Sequence, residues 1–436
     1  MSDYMFMLES HLSTEQSRAV AEIQAAAAES ATNLFLAGGA MRDMLGGFPI
    51  RDLDFVVEGD APKIAKVVAQ KSGARLIAVD EVRRVVELQF PGGVNAELGM
   101  ARREKYGKPG AKPQVTPATI YEDLRGRDFT INAIALSLNR ASRGLLLDPT
   151  NGLGDLERRE LRAVSNYSLY DDPIRLLRLL RFRVRLGFTL EERTAQSYAN
   201  AREAEVEKHI QPKALLHELR QIANEVNSAD LLRVLDEEKL LSLYSPALTG
   251  AKLNLAGLQK LQKARSFIPF NIPFPADNLA LFLAVVTEKL TPKERAQLVS
   301  ATGMGAAEVS AWQKLEARAK KLEKALTSAK LTKPSHVYEA VTAAPGEEVL
   351  YVLMKSSQRL AQDRIKNFFQ KYLPLANEVT DKDVAAKGAA PGTPKFAKVR
   401  REVIAQRLDG RPKKVAPPPE PPPAPVAATA ARGVRR

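Results

Sequence analysis

Two aspartates, Asp52 and Asp54, open the segment Asp52–Val57, whose remainder is apolar. In an extended strand alternate side chains share a face, so both carboxylates project together. Like charges on one rigid face are costly unless a cation lies between them, and hard carboxylate oxygens suit Mg²⁺. Upstream, Gly38 and Gly39 join an apolar strand-like run, Asn33 to Ala37, to a short helical piece, Ala40 to Leu45. A glycine pair before a helix lets backbone N–H groups approach phosphate oxygens closely. Arg42, one helical turn on, is placed for a charge-assisted contact with the same anion. Alone, the glycines suit a plain turn and the acids a solvated strand end. Together, over so short a stretch, they describe a site for a metal-bound nucleoside triphosphate.

The surrounding elements must hold that site. Thr14 to Ser30 is helical by propensity, and Ala61 to Lys71 is amphipathic with Ile64, Ala65, Val67 and Val68 on one face. Strand-like runs follow at Arg75–Val79, Val85–Phe90 and Val94–Leu98, so strands and helices mix in a small α+β domain. Glu97, on the last run, is a candidate third acidic group. The segment Arg102 to Thr119 has three prolines and many cations and reads as a loop. Leu147 to Leu156 is a Pro/Gly turn before a helix, with Asp155 a candidate N-cap. Further on, Asp171, Asp172 and Pro173 precede a helix in which Arg175, Arg178 and Arg181 recur every three residues opposite leucines. That stripe suits either a solvated face or an anionic ligand. Residues 228–372 are leucine-rich and helical, with no site motif.

The chain has 436 residues and a net charge of +14, compatible with several domains and a polyanionic partner. Twelve Lys/Arg against three Asp/Glu in residues 387–436 concentrate +9 there. The stretch from Val415 on is Pro/Ala-rich and expected to be disordered. Without cysteine there are no disulfides or thiolate metal sites, and the four histidines form no close ligand pair. No apolar run reaches membrane-spanning length and the N-terminus is unlike a secretory signal, so a cytoplasmic protein is expected, with no obligate protein partner.

The motif GGAMRD-x7-RDLD resembles that of the polymerase β-like nucleotidyltransferases, and in particular class II CCA-adding tRNA nucleotidyltransferases and bacterial poly(A) polymerases. The likeness extends through Glu122 to Ala133, similar to the family's EDLxRRDFTxNA, and Asp171-Asp172-x-x-Arg175, similar to its EDxxR. It implies a mixed-sheet nucleotidyltransferase head (31–147) after an N-terminal helical extension (1–30). An all-α neck (148–227), an RNA-binding body (228–375), a C-terminal helical module (376–412) and a disordered tail (413–436) follow. It implies catalytic, metal-holding Asp52 and Asp54 with Mg²⁺. Gly38, Gly39, Arg42 and Arg127 would serve the nucleotide, with Asp128 to orient it. Asp172 and Arg175 would read the base, with Arg178 and Arg181 on base or phosphates. A carboxylate accepts a hydrogen bond from the exocyclic amine of C or A, whereas G and U leave it buried and unpaired, so the pair selects without a template. ATP and CTP would be substrates and tRNA the acceptor, with one metal activating the 3′-hydroxyl and another stabilising pyrophosphate. The alternatives are a CC-only or A-only enzyme, a poly(A) polymerase, or a non-catalytic RNA-binding protein. Two departures stand out. Gly126 replaces the family's first arginine, and Pro212-Lys213 replace a Glu-Arg pair that braces the base-reading helix. The loop at Arg102 to Thr119 matches the family's flexible loop, and no His-Asp phosphohydrolase dyad appears.

Overall fold

The computed structural model describes residues 3–270 and 272–410; the Pro-rich tail, 413–436, lies outside them. Two helices, α1 (Asp3–His11) and α2 (Thr14–Glu29), precede the sheet, and α2 starts in a capping box of Ser13 and Gln16. The head then runs β1 (Leu34–Ala37), α3 (Gly39–Leu45), β2 (Leu53–Val57), α4 (Ala61–Ser72), β3 (Arg75–Asp80), β4 (Val85–Gln89) and β5 (Asn95–Met100). Next come β6 (Arg102–Lys105), β7 (Gln114–Pro117), α5 (Ile120–Arg125), β8 (Ala135–Ser137) and β9 (Leu146–Leu147). Seven strands form one mixed sheet in the order β3-β4-β5-β2-β1-β8-β9. Only β2 and β5 pair in parallel; the other neighbours are antiparallel.

β1 is apolar throughout because both faces of the sheet are covered. Leu34 and Leu36 join the main core with Phe55, Val57 and the buried face of α4, while Phe35 and Ala37 join a second cluster with Val56, Ile120 and Leu124 of α5. Asp60 caps α4 and Gly73, at φ 73°, ends it. The region read as a loop from Arg102 to Thr119 is half hairpin. β6 and β7 pair from Arg102↔Pro117 to Lys105↔Gln114, and Glu104 anchors the pair by accepting from Arg102 (2.7 Å) and Arg83 (3.1 Å). Its tip reaches the neck, where Gln211 Nε2 donates to Gly110 O at 3.2 Å. A Cβ on Gly110 would lie 2.2 Å from the His209 carbonyl oxygen, so only glycine lets the two backbones meet.

Beyond the sheet the described residues are mainly helical. The region expected to be the neck contains α6 (Gly152–Arg158), α7 (Ser168–Asp171), α8 (Ile174–Leu186), α9 (Glu192–Glu203) and α10 (Pro212–Asn224). The helices from Ser228 to Asn377 extend the same core. A separate cluster of Val379, Val384, Ile404 and Leu408 closes the C-terminal helices, which Asp409 ties back by accepting from Ser335 N (3.0 Å) and Oγ (2.7 Å). Among the described residues no helix is long and apolar enough to cross a membrane.

Candidate active site

β1 delivers the chain to Gly38, whose backbone sits at φ 66°, ψ −129°, accessible without strain only to glycine. A Cβ there would lie 2.7 Å from Arg127 Nη1 and 3.2 Å from Asp54 Oδ2. The next two N–H groups, of Gly39 and Ala40, donate to Asp54 Oδ2 at 2.7 and 3.3 Å. The start of α3 therefore holds the carboxylate, where the sequence suggested N–H groups free for phosphate. Asp52 lies one residue before β2, at a bend, where the sequence reading placed it in the strand.

The two carboxylates sense each other. Burial and then the Asp52 charge push Asp54 up to about 6, against Arg127, Arg42 and the Gly39 N–H. Burial also raises Asp52, opposed first by Arg51. Glu97 is the register partner of Asp54 across the parallel β2–β5 pair. Crowding by protein and then the Asp54 charge push Glu97 up to about 7, even though its side chain is open to solvent. The acidic cluster is thus crowded by protein yet reachable from outside, with its like charges close together. Asp52 and Asp54 fit a divalent cation such as Mg²⁺: hard oxygens whose repulsion a cation would relieve. Among the described residues no group of three or more acidic or histidine side chains is placed to hold a metal, so Glu97 does not complete a three-carboxylate cage.

Arginines surround the acidic cluster, each held by a carboxylate or carbonyl. Arg127 gives Nε and Nη2 to Asp123 Oδ2 (3.1 and 3.0 Å) and Nη1 to Asn132 O (3.2 Å). Asp123 thus sets Arg127, and Asp128 has another task. Asp128 is buried and accepts from Arg178 Nε (2.8 Å) and Nη2 (2.6 Å) and from Asn132 Nδ2 (3.0 Å). Although burial opposes it, Arg178 and Arg175 hold the Asp128 carboxyl well below the usual range. Arg42 is buried and donates to Asp43 Oδ1 (2.9 Å) and Asn132 Oδ1 (2.7 Å). Its guanidinium also lies 4.8 Å from the centre of the Phe182 ring.

The base-reading candidates sit where α7 passes into α8. Asp172 Oδ2 is 3.8 Å from Arg175 Nε. Burial raises the Asp172 carboxyl, against Arg175 and then Arg83. Arg175 also donates to Ser168 Oγ (2.7 Å), Gly126 O (3.1 Å) and Arg127 O (3.3 Å). The carbonyl of Gly126, the residue that departs from the family pattern, is thus part of the Arg175 cradle. Arg181 is buried and held by Glu218 (2.6 Å) and Glu225 (3.4 Å). These two glutamates of the α10 region brace the helix from a different place than Pro212-Lys213.

Several site residues escaped the sequence reading: Asp43, Asp123, Asn132, Arg185, Glu218 and Glu225. Some had signals. Asp123 precedes Arg127 by four residues on a helix end. Glu218 falls among Leu215, Leu219 and Ile222 on the apolar face of α10, where a carboxylate requires a buried partner.

Residues 34–162 match the family model described as the Poly A polymerase head domain. An A-adding tRNA nucleotidyltransferase of Aquifex aeolicus is 35% identical over 237 residues, covering 54% of this chain and 28% of that protein. A CC-adding tRNA nucleotidyltransferase of Deinococcus radiodurans is 43% identical over 155 residues, covering 36% of this chain and 41% of that protein. The chain therefore spans less than half the length of these two curated relatives. The Thermotoga maritima CCA-adding enzyme, solved in complex with tRNA, shares the fold with a TM-score of 0.51 at 23% identity, over 94% of this chain and 96% of that one. Residues 34–162 thus resemble a Poly A polymerase head domain, and the helices that follow share the fold of that solved structure.

Proposed function

We propose that this chain is a template-independent tRNA nucleotidyltransferase that adds C and A from CTP and ATP to the tRNA 3′ end and releases pyrophosphate. The observation that carries this is a carboxylate pair, Asp52 and Asp54, raised by burial and linked through Arg127, which acts on Asp54 and whose carbonyl accepts from Arg175, to the Asp172–Arg175 pair. A divalent metal pair held by Asp52 and Asp54 supplies, when bound, polarisation of the attacking 3′-hydroxyl and charge for the departing pyrophosphate. Gly38 keeps the turn free of side chain so that phosphate can approach, beside Arg127 fixed by Asp123. Asp172 accepts from the exocyclic amine of C or A, and Arg175, steadied by Ser168 and two carbonyls, donates to the neighbouring ring acceptor. Arg178 gives Nε and Nη2 to Asp128 and keeps Nη1 for base or phosphate. In this reading Arg42 and Arg181 act as internal struts, since their guanidinium groups are buried and held by Asp43, Glu218 and Glu225.

The relatives named A-adding and CC-adding support a second reading, a partial enzyme that adds only one of the two nucleotides. One assay tests both. The full chain is given tRNAs ending before CCA, at C and at CC, and an unstructured RNA, with each labelled nucleotide in turn. Addition of CCA to the shortest tRNA is expected. Addition of A only to the CC-ended tRNA, or of CC only, identifies the partial enzyme. Extension of the unstructured RNA with A identifies a poly(A) polymerase. No incorporation on any substrate overturns the transferase reading in favour of an RNA-binding protein.

A further inference from the structure

Helix α8 meets the head directly through Arg175, Arg178 and Arg185, and through Arg181 by way of Glu225, the four arginines lying three, three and four residues apart on one side of the helix. Arg175 donates to Gly126 O and Arg127 O at the end beside Asp172. Arg178 clasps Asp128. Arg181 shares Glu225 with Arg51, at 3.4 and 3.2 Å. At the far end Arg185 Nη2 donates to Asp43 Oδ2 at 2.8 Å. Asp43 belongs to α3, the short helix whose first N–H groups hold Asp54. The other oxygen of Asp43 accepts from Arg42, which is fixed on Asn132 and faces the Phe182 ring of α8. Arg185 and Asp43 also act on Asp52, the first lowering and the second raising its proton affinity. Thus one rigid helix has the base reader at one end and the support of the catalytic carboxylate at the other.

We propose that Arg185 is a positioning residue that couples base fit to chemistry, with α8 as the lever. When C or A seats on Asp172 and Arg175, α8 settles against the head, Arg185 draws Asp43 and α3 into place, and Asp54 is held where it works. When the base does not fit, the helix stays displaced and Asp54 with it. Nucleotide identity then governs kcat as well as affinity. A two-ended rigid element of this kind is what coupling requires; contiguity alone does not establish it, and a double-mutant cycle measures it. The inference rests on the transferase reading above.

The test measures kcat and KM for CTP, ATP, UTP and GTP on tRNA lacking CCA, with wild type, Arg185→Gln, Arg185→Lys, Asp172→Ala and the double variant Asp172→Ala/Arg185→Gln. Losing one charge-assisted contact is expected to lower kcat for the fitting nucleotides about tenfold. KM and the slow kcat for UTP and GTP should change little, so the kcat ratio between fitting and non-fitting nucleotides collapses. Arg185→Lys, which keeps the charge and carries the test should the glutamine variant not fold, should restore part of that ratio. In the Asp172→Ala background, Arg185→Gln should add no further loss. A parallel fall of kcat for all four nucleotides, or additive effects in the double variant, would overturn the lever and leave Arg185 a structural prop. A wild-type chain that incorporates nothing fails the function reading instead, so the two failures are distinct.

Discussion

The strand end at Asp52–Asp54 and the helix from Arg175 to Arg185 hold opposite charges in opposite conditions. At the strand end burial raises both carboxylates and the Asp52 charge raises Asp54 further, while the arginines near them are committed to other partners. Along the helix Arg175, Arg178, Arg181 and Arg185 have each found an anion or a carbonyl of the protein itself. The first region has like charges that two backbone N–H groups only partly offset, leaving room for a cation from outside; in the second the protein's own partners already fix the arginines in place. Unsatisfied charge marks where a ligand belongs, and satisfied charge marks what holds the place open for it. Arginine spacing alone does not separate the two conditions, which is why Arg181 reads as a ligand contact in sequence and as a strut in the fold.

That contrast can be broken at either pole. The largest expected effect is at the strand end: Asp54→Asn should cut nucleotide incorporation by at least roughly a thousandfold, because the carboxylate proposed to hold metal is lost. Its melting temperature without metal should be unchanged or higher, since a repelling charge is gone. A clear drop in melting temperature would put Asp54 on the structural side and erase the distinction.

Glu218→Ala should do the reverse. Leaving Arg181 buried beside one distant carboxylate is expected to destabilise the fold by about 3–5 kcal/mol, read by denaturant unfolding. A loss under about 1 kcal/mol, as for an exposed pair, would show that the strut is not load on the fold.

The smallest effect is the most diagnostic of sign. Asp54 at about 6 and Glu97 at about 7 are raised above the ordinary carboxylate range, so folding favours their protonated forms. Their contribution to stability is complete below the ordinary value and is lost as pH climbs through 6 and 7. The melting temperature without metal should therefore decline from about pH 5 to about pH 8, and Mg²⁺ should flatten the decline. Glu104 behaves oppositely: despite burial, Arg102 and Arg83 hold it down to about 2, so its contribution is present at neutral pH and lost only in acid. A metal-free stability that rises between pH 5 and 8 would contradict the crowding of like charges assigned to the acidic cluster.

Local patterns carried much of this into the sequence. The run Leu34–Ala37, the glycine turn and the acidic strand end were legible because apolar runs, glycine and paired acids each have one cheap arrangement. So was α8, whose leucines are buried as its spacing requires. The pairings were not legible. Arg178 meets Asp128 fifty positions away, and Arg185 meets Asp43 across 142, distances at which spacing holds no information. The Arg102–Pro117 hairpin was hidden by its prolines and lysines, since cations and proline on a short two-stranded ribbon look like a loop. Asp52 was placed inside the strand because a bend one residue earlier leaves no mark on an alternating pattern.

The Arg181 cluster restricts how such a chain can drift over generations. Arg181, Glu218 and Glu225 are buried together, with Arg51 completing the charge balance on Glu225, so replacing any one of the three strands the others. Each single step away from the trio crosses a valley of poor folding, while a joint exchange for apolar residues of similar volume does not. Lineages should therefore keep all three or lose all three, and a descendant with a mixture is expected to have gained a substitute partner nearby.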